Sequence, residues 1–92
     1  MIVRILTEGQ FRLSGSQLDR LNRLDNRVVA AVEKGNEAQF QKTFAQLLDL
    51  VRQKGQPVPL QEFVESDVVL PHPNLTLGEA KRLFVGEGLI PG

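Results

Sequence analysis

The feature that most constrains this chain is a pair of helical apolar stripes separated by only two residues. In the first, Leu18, Leu21, Leu24, Val28, Val29, Ala31 and Val32 fall on one side of a helical wheel. In the second, Phe40, Phe44, Leu47, Leu48 and Val51 recur at helical spacing. Gly35 supplies a left-handed stop for the first helix, and Asn36 opens the second with Gln39 at its third position. Two long amphipathic helices joined by Gly35-Asn36 must fold back on each other, so the centre of the chain is expected to be an αα-hairpin with helices over about 16–34 and 37–54. Ser14 and Gln17 form a capping-box pattern for the first of them, while Gly55 and Pro57 end the second.

An isolated helix pair with thin stripes is marginal in water, so something must cover its apolar side. The flanks provide strand material. Ile2, Val3, Ile5 and Leu6 are followed by Thr7-Glu8-Gly9 and then by Gln10-Phe11-Arg12-Leu13, the pattern of a β-hairpin. Val68-Val69-Leu70 reads as a short strand stopped by Pro71-His72-Pro73. Thr76 and Glu79 repeat the capping-box pattern before a short helix carrying Leu77, Ala80, Leu83 and Phe84. The expected fold is one α+β domain over 1–92: a small antiparallel sheet from arms at about 2–6, 10–13 and 67–70, packed on the helical hairpin, with a third helix at about 77–84.

Composition narrows the chemistry. The chain has 92 residues, no Cys and a single His, His72, so disulfides, thiolate catalysis, Cys-ligated zinc and a multi-histidine metal site within one chain are excluded. Its longest apolar run is Val28 to Val32, far short of the roughly 18 residues of a membrane span, and the N-terminus lacks the features of a secretory signal. A cytoplasmic protein is expected. Eleven Lys+Arg balance eleven Asp+Glu, but residues 1–54 carry nine basic and six acidic side chains, whereas residues 55–92 carry two basic and five acidic. Neutrality is thus the sum of a +3 body and a −3 tail, which either attract each other or leave a basic surface for a partner.

That basic surface would be a stripe on the first helix, Arg20, Arg23 and Arg27, with Lys34 on the same line. It can bind an acidic protein surface or, in the alternative, serve a small nucleic-acid-binding regulator. Asp19 and Glu33 lie close by and interleaved aromatics are missing, which fits a solvated face or a protein partner better than a nucleic acid. Asp25 falls in the middle of the apolar face, where a carboxylate needs a donor such as Arg4, Arg12 or a sheet-edge N–H. Glu62, Glu65 and Asp67 lack the ligand pattern of a calcium loop, and His72 has no companion nucleophile. Gly86-Glu87-Gly88 is a poor match to a phosphate loop, and Leu89-Ile90 reads as a clamp on the chain end or an exposed docking peptide. No catalytic residue, metal or cofactor is assigned. A core this small also gains from a dimer interface, so a homodimer is among the partner readings.

In order and spacing, the whole chain resembles the PspA-associated protein family of the phage-shock envelope-stress system. The resemblance is carried by Met1-Ile2-Val3-Arg4-Ile5-Leu6, Glu8-Gly9-Gln10-Phe11-Arg12, Leu18/Leu21-Asn22/Leu24-Asp25, Pro57-Val58-Pro59, Ser66-Asp67-Val68-Val69-Leu70-Pro71, Thr76-Leu77 with Glu79, and Glu87 to Gly92. His72 stands where a proline or another small residue is expected. The resemblance implies a non-enzymatic accessory protein that binds PspA, a coiled-coil protein maintaining the cytoplasmic membrane under stress, or a related component. It places the chain at the inner membrane face only through that partner. It marks Asp25, Ser66, Asp67, Leu89 and Ile90 as family-typical or structural positions and transfers no catalytic residue.

Overall fold

The computed structural model describes residues 1–83. Strand β1 (Ile2–Ile5) pairs antiparallel with β2 (Gly9–Arg12), opposing Val3 to Phe11. A single turn of 3-10 helix (Gly15–Gln17) leads into helix α1 (Leu18–Lys34), which is followed by α2 (Glu37–Lys54). Short strands β3 (Gln56–Pro57) and β4 (Val68–Leu70) and helix α3 (Leu77–Leu83) complete the described residues. The four strands form one mixed sheet in the order β3-β2-β1-β4. The fold is α+β, as expected, with the two long helices forming a hairpin. Phe84, the last residue assigned to the third helix, and the Gly86-Glu87-Gly88 and Leu89-Ile90 segments lie outside the described residues.

Strand alternation explains why the helices sit where they do. Val3 and Ile5 on β1, and Val68 and Leu70 on β4, turn inward and are buried, while Arg4 and Val69 face out. The inward row meets Leu21, Val28 and Val32 of α1 and Phe40, Phe44, Leu47 and Val51 of α2 in one core. The Phe40 and Phe44 rings stack with centroids 5.4 Å apart, since positions four apart on a helix lie one above the other.

Three expectations need correction. The sheet is not wholly antiparallel: β4 runs parallel to β1, with Val3 opposite Val68 and Ile5 opposite Leu70. The helical hairpin acts as the crossover that a parallel pair requires. The two strand starts are locked side by side by a reciprocal pair of bonds: Asp67 N–H donates to Ile2 O at 2.7 Å, and Ile2 N–H donates to Asp67 Oδ2 at 2.7 Å. Second, Gln56–Pro57, expected only as the stop of the second helix, is itself a strand aligned with Arg12 and Phe11. It tolerates proline because it is an edge, where a missing N–H costs no ladder bond. Third, Ser14 does not cap α1. Its hydroxyl lies 2.8 Å from that of Ser16, the chain makes a 3-10 turn first, and α1 begins at Leu18.

The other helix signals act as read. Asn36 Oδ1 accepts the Gln39 N–H at 3.1 Å, and Thr76 and Glu79 form a reciprocal capping box at 3.0 and 3.2 Å. Gly35 closes α1 in the left-handed region, at φ 66°. Gly55 closes α2 for a different reason. Its backbone is extended, but a Cβ there would lie 2.5 Å from Val51 O and 2.9 Å from Phe11 Cβ, so a side chain is excluded by the close approach of α2 to β2. Gly35→Ala, by contrast, meets open space and costs only the conformational penalty, about 1 kcal/mol. Chemical denaturation is expected to rank Gly55→Ala as the more destabilising of the two, at about 2–3 kcal/mol, because backbone must shift to admit the methyl group.

Candidate functional site: a basic groove on the helical hairpin

Because α1 and α2 are antiparallel and joined by two residues, the first half of α1 lies beside the second half of α2. Along the seam is a groove of about 440 Å³ lined only by helix residues: Arg20, Arg23, Leu24 and Arg27 from α1, and Gln46, Asp49, Leu50, Gln53 and Lys54 from α2. The spacing of Arg20, Arg23 and Arg27 by three and four residues puts them on one side of α1. Leu24 and Leu50 give the groove an apolar floor.

Its walls hold four cationic side chains against one carboxylate, Asp49. Among the described residues no ion pair engages Arg20, Arg23, Arg27 or Lys54, and Arg23 makes only a long 3.4 Å contact to the Asp19 carbonyl. Asp49 is drawn aside by Arg52, whose Nη1 donates to it at 3.0 Å. Arg52 in turn grips Glu8 of the β1–β2 turn, with Nε donating to Oε1 at 2.7 Å and Nη2 donating to Oε2. This bidentate bond holds the Glu8 carboxyl below the usual carboxylate range and raises the Arg52 guanidinium.

Among the described residues, the acidic segment leaves the groove uncovered. Glu62 accepts from Arg12 Nη2 at 2.5 Å, Asp67 accepts from Ile2, and Ser66 Oγ accepts from Gln10 Nε2 at 2.9 Å. All three bonds go to the sheet and none to α1. Ser66 and Asp67 therefore tie the start of β4 to strands β1 and β2.

Of the four basic residues expected on one line, the structure brings Arg20, Arg23 and Arg27 to the groove and leaves Lys34 out, in the last turn of α1. Asp25 is on the opposite, core-facing side at 1% exposure, engaged rather than orphaned. Arg12, one of its expected donors, is committed to Glu62, and Arg4 is exposed on the outer sheet face. His72 is half-buried in an apolar hollow of about 420 Å³ with Leu6, Val69, Pro71, Leu75 and Leu83. Nearby, bonds from the Thr76 backbone and hydroxyl hold the Glu79 carboxyl low. Among the described residues no group of three or more His, Cys, Asp or Glu converges to hold a metal ion, and no helix is long and apolar enough to cross a membrane. Sequence reasoning missed Leu50, Gln53 and Lys54. The signal was present in the two-residue connection, which fixes which half of α2 faces the arginines.

Fold and groove together describe a small α+β domain, a helical hairpin on a four-stranded mixed sheet with a basic seam along its helices. The model of the family described as PspA-associated protein matches residues 1–92, and the chain belongs to that family. No curated protein and no solved structure matches it.

The Glu8–Arg52 pair gives a pH test. Since the folded state lowers the Glu8 pKa, its contribution is complete above the ordinary glutamate value of about 4.3 and disappears as pH falls through the folded value. The pair is partly exposed, so its worth is about 0.2–1 kcal/mol. Denaturant melts of wild type and Glu8→Gln should differ by that amount at neutral pH and converge progressively as pH falls below the ordinary glutamate value; a difference that does not shrink in acid assigns the effect to packing.

Proposed function

We propose that this protein is a non-enzymatic accessory module of the PspA envelope-stress response and that it binds PspA, or a related component, through the groove between α1 and α2. Family membership points to PspA as the associate. The observation that carries the reading is the groove itself: an apolar floor of Leu24 and Leu50 flanked by Arg20, Arg23, Arg27 and Lys54, with no ion pair to these cations among the described residues. A trough of this form suits one face of an amphipathic helix, with apolar anchors on the floor and carboxylates against the arginines. A coiled-coil partner rich in acidic surface has that chemistry. The protein would reach the inner face of the cytoplasmic membrane by way of this partner.

A nucleic-acid-binding regulator using the same arginines draws no support from the comparisons. The groove is short, one carboxylate lies in its wall, and the whole chain has no net charge to concentrate a polyanion.

Affinity capture of PspA tests the reading. Wild type is expected to retain PspA, and the charge reversal Arg20→Glu/Arg23→Glu/Arg27→Glu to weaken capture at least about tenfold, equivalent to about 1.4 kcal/mol, with an unchanged circular dichroism spectrum. Failure of the wild type to retain PspA contradicts the function. Full capture by the reversed variant moves the interface off the groove.

A further inference from the structure

The connection between β3 and β4 carries the two most exposed large apolar side chains of the described residues, Leu60 at 92% and Phe63 at 95% exposure. Side chains of this kind standing free in water mark a contact surface when they occur together. The charged residues within the 58–67 connection are all acidic. Glu62 keeps 45% of its side chain in water despite its bond to Arg12, and Glu65 takes part in no ion pair among the described residues. The segment 60–65 thus presents an apolar residue, an acid, an apolar residue and an acid at positions 60, 62, 63 and 65.

The groove on the helices is its inverse, with leucines at the base and arginines at the rim. We propose that the 60–65 loop of one copy docks in the α1–α2 groove of a second copy, Phe63 and Leu60 on the Leu24–Leu50 floor and Glu62 and Glu65 against the arginine row. The loop borders the outer face of the sheet, alongside Arg4 and Gln10, whereas the groove is made by the helices on the other layer. The contact is therefore heterologous: each copy offers a loop on one side and a groove on the other, and copies add head to tail instead of closing as a two-fold pair. An anionic lipid surface is the poorer occupant for the loop, because Glu62 and Glu65 would be pressed against like charge. The inference rests on the groove being a docking surface and adds a regulatory consequence: self-association hides from an acidic partner the surface that would bind it.

Sedimentation velocity over a range of protein concentrations tests it. Wild type should rise in weight-average mass past two copies and return toward 10.3 kDa in about 0.5 M salt, where charge interactions are screened beyond a few ångströms. Two variants, Arg20→Glu/Arg23→Glu/Arg27→Glu and Glu62→Lys/Glu65→Lys, should each remain monomeric. Mixed together they should regain association past two copies, since the acidic loop of one meets the arginine groove of the other and the reversed loop and reversed groove are again of opposite charge. Leu60→Ser/Phe63→Ser, which alters only exposed side chains, should also be monomeric with unchanged melting and should still capture PspA. A wild type that is monomeric at every concentration, variants that associate like wild type, or a monomer that co-sediments with phosphatidylcholine vesicles through Leu60 and Phe63 overturns the proposal. Wild type that self-associates in this pattern yet captures no PspA refutes only the function proposed above; wild type that captures PspA while remaining monomeric refutes only the loop-to-groove contact.

Discussion

The rest of the structure depends on how two helical stripes only two residues apart are kept out of water. The stripes of α1 and α2 can meet each other along one line, but Phe40, Phe44 and the valines of α1 need a further surface. The inward row of β1 and β4 supplies it. Burying one side of the hairpin on the sheet leaves its opposite seam to solvent, and the residues there include Arg20, Arg23, Arg27 and Lys54. The groove is thus a geometrical consequence of the same packing that stabilises the fold.

Charge is divided along the chain in a way that keeps this groove available. An acidic tail following a basic body could have folded onto it and cancelled it. Instead Glu62 goes to Arg12, Asp67 to the start of β1, and Glu8 and Asp49 to Arg52. These bonds lie at the sheet or at its junction with α2, where they fix β4 parallel to β1 and tie the β1–β2 turn to the helix. Among the described residues, Arg20, Arg23, Arg27 and Lys54 at the groove and Glu65 beside Leu60 and Phe63 on the loop stand outside these pairs. A formally neutral protein can therefore carry two complementary surfaces.

Much of this was legible in the sequence. The hairpin followed from periodicity and from Gly35-Asn36, and both the Asn36 cap and the Thr76–Glu79 box were written in side chains that bond locally. The burial of Asp25 followed from its place on the apolar face. What escaped depends on contacts distant along the chain. The direction of β4 is set by Asp67 bonding to Ile2, 65 residues away, and nothing within Val68-Val69-Leu70 encodes it. Pro57 disguised β3, because a proline just past a helix end is read as the stop of that helix, and its place on a sheet edge is known only once β2 lies beside it. Ser14 looked like a cap, yet its hydroxyl went to Ser16. Arg20, Arg23 and Arg27 were found as a stripe, while their companions on α2 appear only when the two helices are placed side by side.

On the function proposed above, the seam between α1 and α2 is the surface that receives PspA. Carbodiimide crosslinking, which joins a carboxylate to an amine in direct contact, followed by mass spectrometry of adducts from cells making both proteins, tests it most directly. Lys54 is the amine of the groove, and peptides of PspA bearing Asp or Glu are predicted to be joined to it. Adducts confined to Lys81 or to the carboxylates of Glu62 and Glu65, with Lys54 unmodified, would contradict the claim.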